Sequence, residues 1–354
     1  MTIVTVLVTV FCFGVIIVLH EFGHFIVAKK SGIRVLEFSV GIGPALFSKK
    51  RGETKYSLRL FPIAGYCAFE GEDTDSKDPR AFRNASVWKR ILTTVAGPIM
   101  NLLLGLILIA VFLCMDTAIT TTTVNGFHTN ELGESVASSD AWLKPGDRFV
   151  SINGLNIYTV TDISYALQND DCYEFTVVVE REGKEVTLEN VRFFDKRITD
   201  ENAKVSFDFY VEGAEKTIPN IISYTGRGFV STARLIWISL RDLIRGKYGF
   251  NDLSSVVGVI DVTTDIVAQS KTLHDKLMTI LDLMGFITVN IGIFNLLPIP
   301  ALDGGRLLLQ FVEAIRRKKL PANVEGTIHL IGFAVLMLLM ILLMFKDVIH
   351  IFNR

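Results

Sequence analysis

The sequence predicts a multi-pass α-helical membrane protein with four transmembrane helices, a membrane-associated β-hairpin region and an extracytoplasmic β-rich domain. Three observations carry that expectation. Half of the 354 residues are hydrophobic and the mean hydropathy is positive, which is unusual for a soluble chain and ordinary for one dissolved in a bilayer. Four stretches, Thr2–Leu19, Thr93–Met115, Leu283–Leu302 and Gly326–Phe345, contain no Asp, Glu, Lys or Arg, and each approaches or exceeds the roughly 20 apolar residues a helix needs to cross a bilayer. Lys and Arg gather in the segments that four crossings would place on one side.

The first helix is expected over 1–28. It lacks the basic leader and small-residue cleavage site of a signal peptide, so it reads as retained. Residues 29–92 do not read as helix. Gly32, Gly41, Gly43, Pro44 and Gly52 punctuate short β-favouring runs such as Val35–Val40 and Tyr56–Leu60, suggesting two or more short hairpins beside the membrane. This segment is rich in Lys and Arg, as is Arg316–Lys319, and both are therefore expected in the cytoplasm.

A second helix follows over 93–115. Residues 121–197 read as a β-rich domain, with Asn153-Gly154 and Glu182-Gly183 as turn signals and Asp162–Leu167 as a short helix. The connector 198–277 contains apolar residues at helical spacing between Arg227, Arg234, Arg241 and Arg245, with Trp237 among them. That pattern predicts a helix lying on the outer membrane surface, with lipid as its partner. Helices three and four are expected over 278–315 and 326–350. Both termini then lie outside the cell membrane.

The net charge of −1 decides nothing, and no nucleic-acid partner is expected. Cys12, Cys67, Cys114 and Cys172 form no CxxC pair, so any metal site must use His and carboxylate ligands.

The chemistry concentrates in His20-Glu21-Phe22-Gly23-His24. On a helix the two histidines are one turn apart and project from one face, so both imidazoles can reach one Zn²⁺. Glu21 lies about 100° around the helix, where it can serve as general base to a metal-bound water without occupying a metal position. The plainer reading is polar residues snorkelling from a helix end. Against it, Glu21 precedes further apolar residues, and an ionisable group at depth is expensive without a function.

A catalytic zinc also wants a third protein ligand. Asp303 is the best candidate, because Pro298 and Pro300 break the backbone just before it. Broken backbone at membrane depth is tolerated where it is buried in protein or lines a watery cavity. Asp303 and the His20–His24 pair both fall near cytoplasmic helix ends, so they can meet.

HEFGH near the N-terminus, AGPIMN opening helix two, GDRFVSINGLNI in the outer domain and NLLPIPALDGG late in the chain together resemble the site-2 proteases, in particular the bacterial RseP-type branch. The resemblance spans almost the whole chain in order. It implies an intramembrane zinc metalloprotease of the bacterial plasma membrane, with His20, His24 and Asp303 as ligands, Glu21 as catalytic base, and the outer domain as a PDZ-like module. It also implies that Asn295, Pro298 and Pro300, with Asn290 one turn earlier, line the substrate groove; interhelical hydrogen bonding is the alternative for both asparagines. Two features depart from relatives. One PDZ-like module is recognisable where some have two, and Ser254–Val259 matches their GPVGI segment poorly.

The implied activity is cleavage within transmembrane segments of membrane proteins, in regulated intramembrane proteolysis after a first extracytoplasmic cut. An anti-sigma factor, a signal-peptide remnant and a peptide-signal precursor all remain open as substrates. Two rival readings are a membrane metal transporter or sensor and an inactive PDZ binding module. The first would need further polar residues along a path, and the helices offer few (His329, Asn290, Asn101); an intact Glu21 argues against the second.

Overall fold

The computed structural model describes residues 3–72, 74–169, 172–196, 205, 207–250, 253, 258–259 and 272–352. Ser254–Val257, within the segment that departs from relatives, lie outside the described residues, as does much of the connector between 251 and 271. The chain divides into two units, one of residues 1–108 with 236–354 and one of residues 109–235.

The first unit is built on apolar helices. Helix α1 spans Ile3–Lys30, α2 Val87–Met115, α5 Leu273–Asn295, α6 Asp303–Arg316 and α7 Ala322–Phe352, with α4 (Ile218–Ile244) shared between the units. Four of these, α1, α2, α5 and α7, contain stretches long and apolar enough to cross a membrane. Only 6% of the most apolar window of α7 is buried, so most of its apolar surface is left uncovered and suits lipid. Small residues let the helices approach closely. A methyl group on Gly105 would come within 2.3 Å of Val289, and one on Gly23 within 2.4 Å of the Ala96 carbonyl oxygen.

Two differences from the sequence expectation bear on the site. Helix α2 begins at Val87 rather than Thr93, because Arg90 is buried and paired instead of marking the solvent edge. The expected third helix is two helices: α5 ends at Asn295, and α6 starts afresh at Asp303 after the Pro298–Pro300 break.

Between α1 and α2 the expected short hairpins are instead two long strands, β1 (Val35–Arg51) and β2 (Thr54–Phe69). Each is bent, so each pairs twice. Lys49–Arg51 lie opposite Thr54–Tyr56, while Glu37–Val40 lie opposite both Lys55–Leu58 and Gly65–Ala68. Gly41 and Gly43 take φ of +88° at the bend in β1, a conformation open to glycine and costly for other residues. Phe38 and Tyr56 pack on Phe25 of α1. Phe69 stacks on Phe82, and this contact closes a core with Ala28, Ile33, Val35 and Cys67. Leu46, Phe47, Leu60 and Phe61 near the bend stay exposed.

The second unit is a sheet ordered β7-β6-β4-β3-β8, with β5 paired to β4. Its strands are β3 (Ile119–Phe127), β4 (Arg148–Ile152), β5 (Leu155–Asn156), β6 (Phe175–Arg181), β7 (Lys184–Val191) and β8 (Phe209–Ala214), with helix α3 at Val160–Asn169. Phe175, Val177 and Val179 alternate into a core shared with Phe149, Ile163 and Leu167, as a strand with one buried face requires. Asn153-Gly154 and Glu182-Gly183 both have two successive positive φ angles, the geometry of tight hairpin turns. The sheet runs past the expected limit at 197, since β8 pairs with β3. Asp162 is fully buried; it caps α3 through the Tyr158 and Thr159 N–H groups and receives Ser231 and Arg234 from α4.

Candidate metal centre

Helix α1 places His20 and His24 one turn apart, as their spacing requires, and α6 opens with Asp303. Asp303 Oδ2 lies 3.1 Å from His20 Nε2 and 3.3 Å from His24 Nε2, and the two imidazole nitrogens are 3.2 Å apart. Three potential ligand atoms thus converge from two helices. Their separations lie within a few tenths of an ångström of the roughly 3.3–3.6 Å between tetrahedral positions around an ion with bonds of about 2.0–2.2 Å.

The outer faces of the rings fix which nitrogens are bare. His24 Nδ1 lies 2.8 Å from the Thr93 carbonyl oxygen. A carbonyl only accepts, so a proton is on Nδ1, and in the neutral ring that a metal ligand requires Nε2 then carries the lone pair. The Asn101 amide lies 3.2 Å from His20 Nδ1 through Nδ2, while its Oδ1 is buried without a partner. Turning this amide over, a change of almost no shape, lets Oδ1 accept the Nδ1 proton of His20 and satisfies both groups. His20 Nε2 is then bare too. Asp303 Oδ2 is itself buried without a hydrogen donor. Three electron-rich atoms packed together repel one another unless a cation lies among them, and this donor set, two imidazoles and one carboxylate, fits Zn²⁺.

These atoms open on a cavity of about 200 Å³. Glu21, Tyr66, Cys67, Phe69, Glu72, Thr94, Ala301, Arg306 and His329 line it with the three ligand candidates. Asn290, Asn295, Pro298 and Pro300 belong to α5 and the break that follows it, and they do not line this cavity. The first, second and last of these are half-buried, while Pro298 is exposed.

One face of α2 supplies support that the sequence motifs do not reveal. Arg90, Thr93, Thr94, Gly97 and Asn101 recur at helical spacing and are all buried. A methyl group on Gly97 would lie 2.2 Å from His24 Nε2, so the backbone of α2 runs directly against the His24 imidazole. Asn101 belongs to AGPIMN, one of the segments that carry the resemblance to site-2 proteases. Thr93 contributes a backbone carbonyl and leaves no trace in residue identity.

The sequence model of peptidase family M50 matches residues 8–339. The chain belongs to peptidase family M50. This M50 peptidase is 32% identical over 369 aligned positions to a protein of Clostridium acetobutylicum named as a zinc metalloprotease, with 100% of both chains covered. It is 29% identical to the regulator of sigma-W protease RasP of Bacillus subtilis, over 98% of this chain and 99% of the relative. A Brucella suis protein also named as a zinc metalloprotease is 28% identical, over 97% and 94% of the two chains. Full-length agreement of this kind makes the chain an intramembrane zinc metalloprotease of the site-2 type.

Proposed function

We propose that His20, His24 and Asp303 hold the zinc and that Glu21 is the general base for peptide-bond hydrolysis within transmembrane segments of other proteins. The observation that carries this reading is the meeting of three lone-pair atoms at 3.1–3.3 Å with Glu21 in the same cavity. Zinc, when bound, polarises the scissile carbonyl and makes a water molecule acidic at neutral pH. Glu21 accepts the proton of that water on its carboxylate and delivers it to the leaving amine. Thr93 and Asn101 keep the two imidazoles in the tautomer that presents Nε2.

A transmembrane substrate must unwind before its backbone can be attacked. Gly65–Ala68 pairs with Glu37–Val40 on one side, and Tyr66, Cys67 and Phe69 line the cavity. An extended substrate stretch adds to this ribbon as a further strand, gaining main-chain hydrogen bonds that orient the carbonyl. Asn295, Pro298, Pro300 and Asn290 guide the substrate on the α5 side.

The basic segments Lys29–Arg90 and Arg316–Lys319 lie in the cytoplasm, and the 119–214 sheet lies outside as a PDZ-like module. There it obstructs substrates whose outer domain is still bulky, so a first cut precedes this one. The exposed apolar residues Ile218, Ile222, Val230 and Trp237 of α4, beside Arg227 and Arg234, rest on the outer lipid surface. An anti-sigma factor is the favoured substrate class, since one relative is named regulator of sigma-W protease; a signal-peptide remnant or peptide-signal precursor fits the same groove.

The test is metal content of the purified protein. Asp303→Ala is expected to lose zinc and cleavage together while remaining inserted and protease-resistant. One zinc per chain retained by that variant would transfer the third-ligand role to another residue.

A further inference from the structure

Asp303 depends on a tight loop. Residues 296–302 fold back between α5 and α6, with Ile299 N–H donating to the Leu297 carbonyl at 2.7 Å and Leu302 N–H to Ile299 at 3.1 Å. The loop presses against the start of α6 so closely that a methyl group on Gly304 would meet the Leu297 oxygen at 2.1 Å, and one on Gly305 the Ile299 oxygen at 2.4 Å. Within this loop Ala301 adopts φ of +78°. That is the left-handed region, where a Cβ is crowded and glycine is the ordinary occupant. A strained residue two positions before a ligand persists only where its surroundings hold it.

The holding group comes from a different helix. Ala301 N–H donates to Nδ1 of His329 on α7 at 3.1 Å. Gly332, one turn further along α7, lies so close to the loop that a Cβ there would meet Pro300 Cβ at 2.4 Å and its carbonyl oxygen at 2.6 Å. His329 also lines the cavity that contains His20, Glu21, His24 and Asp303. An imidazole within an apolar span is expensive unless it has work there, and the established motifs give His329 none.

We propose that His329 is a positioning residue for the metal centre: by accepting the Ala301 N–H it locks the left-handed turn that aims the Asp303 carboxylate at His20 and His24. This rests on the reading of those three residues as zinc ligands. An apolar side chain at 329 would leave the Ala301 N–H without its acceptor and allow the turn to relax, and the carboxylate would swing from its place. Supporting residues of metal sites typically alter metal affinity or activity by about 10–100-fold.

Four variants test this. His329→Leu removes the acceptor. His329→Asn keeps one, because its Oδ1 stands where Nδ1 stands, whereas His329→Gln carries its carbonyl one carbon further. Ala301→Gly relieves the strain. Each full-length protein is purified in detergent, zinc affinity is read by chelator competition, and kcat and KM are measured on a model transmembrane substrate. His329→Leu is expected to weaken zinc binding and lower kcat by about tenfold or more, with KM nearly unchanged. His329→Asn should restore both to within about threefold and outperform His329→Gln. Ala301→Gly placed in the His329→Leu background should recover part of the loss, which a general packing defect would not allow. Wild-type zinc affinity and kcat in His329→Leu would overturn the proposal, as would equal loss in the Asn and Gln variants. If His329→Leu fails to fold, the Asn–Gln difference decides alone. Parallel measurement of Asp303→Ala separates the two readings: zinc retained there rejects the ligand set, whereas zinc lost there but kept in His329→Leu rejects only the role of His329.

Discussion

Arg90 of α2 is paired with Glu313 of α6 in an ion pair whose two side chains are each only 4% exposed. The second Glu313 oxygen accepts the Leu320 N–H at 2.6 Å, and Gln310 on the same helix donates to Thr94 at 3.0 Å. The face of α2 that supports the histidines therefore also grips the helix that begins at Asp303. The two helices that carry the proposed ligands are brought into register by a third that carries none of them.

Breaking that grip at one end is costly, because it strands a charge. Arg90→Ala or Glu313→Ala should destabilise the protein by about 3–5 kcal/mol, whereas replacing both by Met or Leu should cost only the about 1–3 kcal/mol of the Leu320 N–H left without its acceptor. Thermal unfolding in detergent checks the first expectation, and zinc content of the double variant checks the second. A double variant that folds well yet binds zinc weakly would show the pair sets geometry rather than stability.

Gly97→Ala tests how closely α2 follows the metal face. The added methyl would lie 2.2 Å from His24 Nε2 and 2.6 Å from its Cε1, inside any tolerated contact, so either the imidazole turns away or α2 retreats. Zinc should be lost although every ligand is present. A Gly97→Ala protein with full zinc and full activity would contradict the packing of α1 on α2.

How much of this was readable from the residues depends on the range of the interaction that fixes each part. The shared face of His20 and His24 was legible because four residues on a helix is a local distance, and the break before Asp303 because two prolines announce it. The service of α2 is invisible from its own sequence: Arg90 looked like a solvent-edge residue until Glu313, 223 positions away, came beside it. The long strands were misjudged for a related reason. Gly41 and Gly43 read in the sequence as ends of short strands, yet at φ of +88° they bend one strand that continues on both sides. The split of the third helix into α5 and α6 was half visible, since the prolines were noted but a restart at Asp303 depends on Gly304 and Gly305 fitting against the loop.

The bent strands carry a pH-sensitive tie. Glu37 accepts from Ser57 at 2.6 Å and from Arg59 at 2.7 Å, and Arg59 reaches Tyr66 as well. Burial pushes the Glu37 carboxyl up, but these bonds and the Arg59 charge outweigh it and hold the group at about 2. A carboxyl depressed on folding adds stability above its unfolded value, about 4.3, and loses it as the pH falls from there through the folded one. Limited proteolysis within 54–69 should therefore accelerate as the pH drops below about 4. Glu37→Gln should be cut faster at neutral pH and show little further dependence; identical pH profiles for the two proteins would remove Glu37 from the tie.

Glu21 is the last residue whose role separates binding from chemistry. It lines the cavity but stands outside the group of three converging ligand atoms. Glu21→Gln preserves shape and hydrogen-bonding capacity while removing the proton acceptor. Zinc content should therefore stay at the wild-type level, in contrast to Asp303→Ala, and cleavage should fall by about 10²–10⁴-fold, the usual contribution of a positioned general base. The loss should appear in kcat with KM little changed, because an interaction made only as the proton moves contributes nothing to substrate affinity. A variant that lost its zinc would make Glu21 part of the metal site, and one that turned over near the wild-type rate would leave the proton to another group of the same cavity.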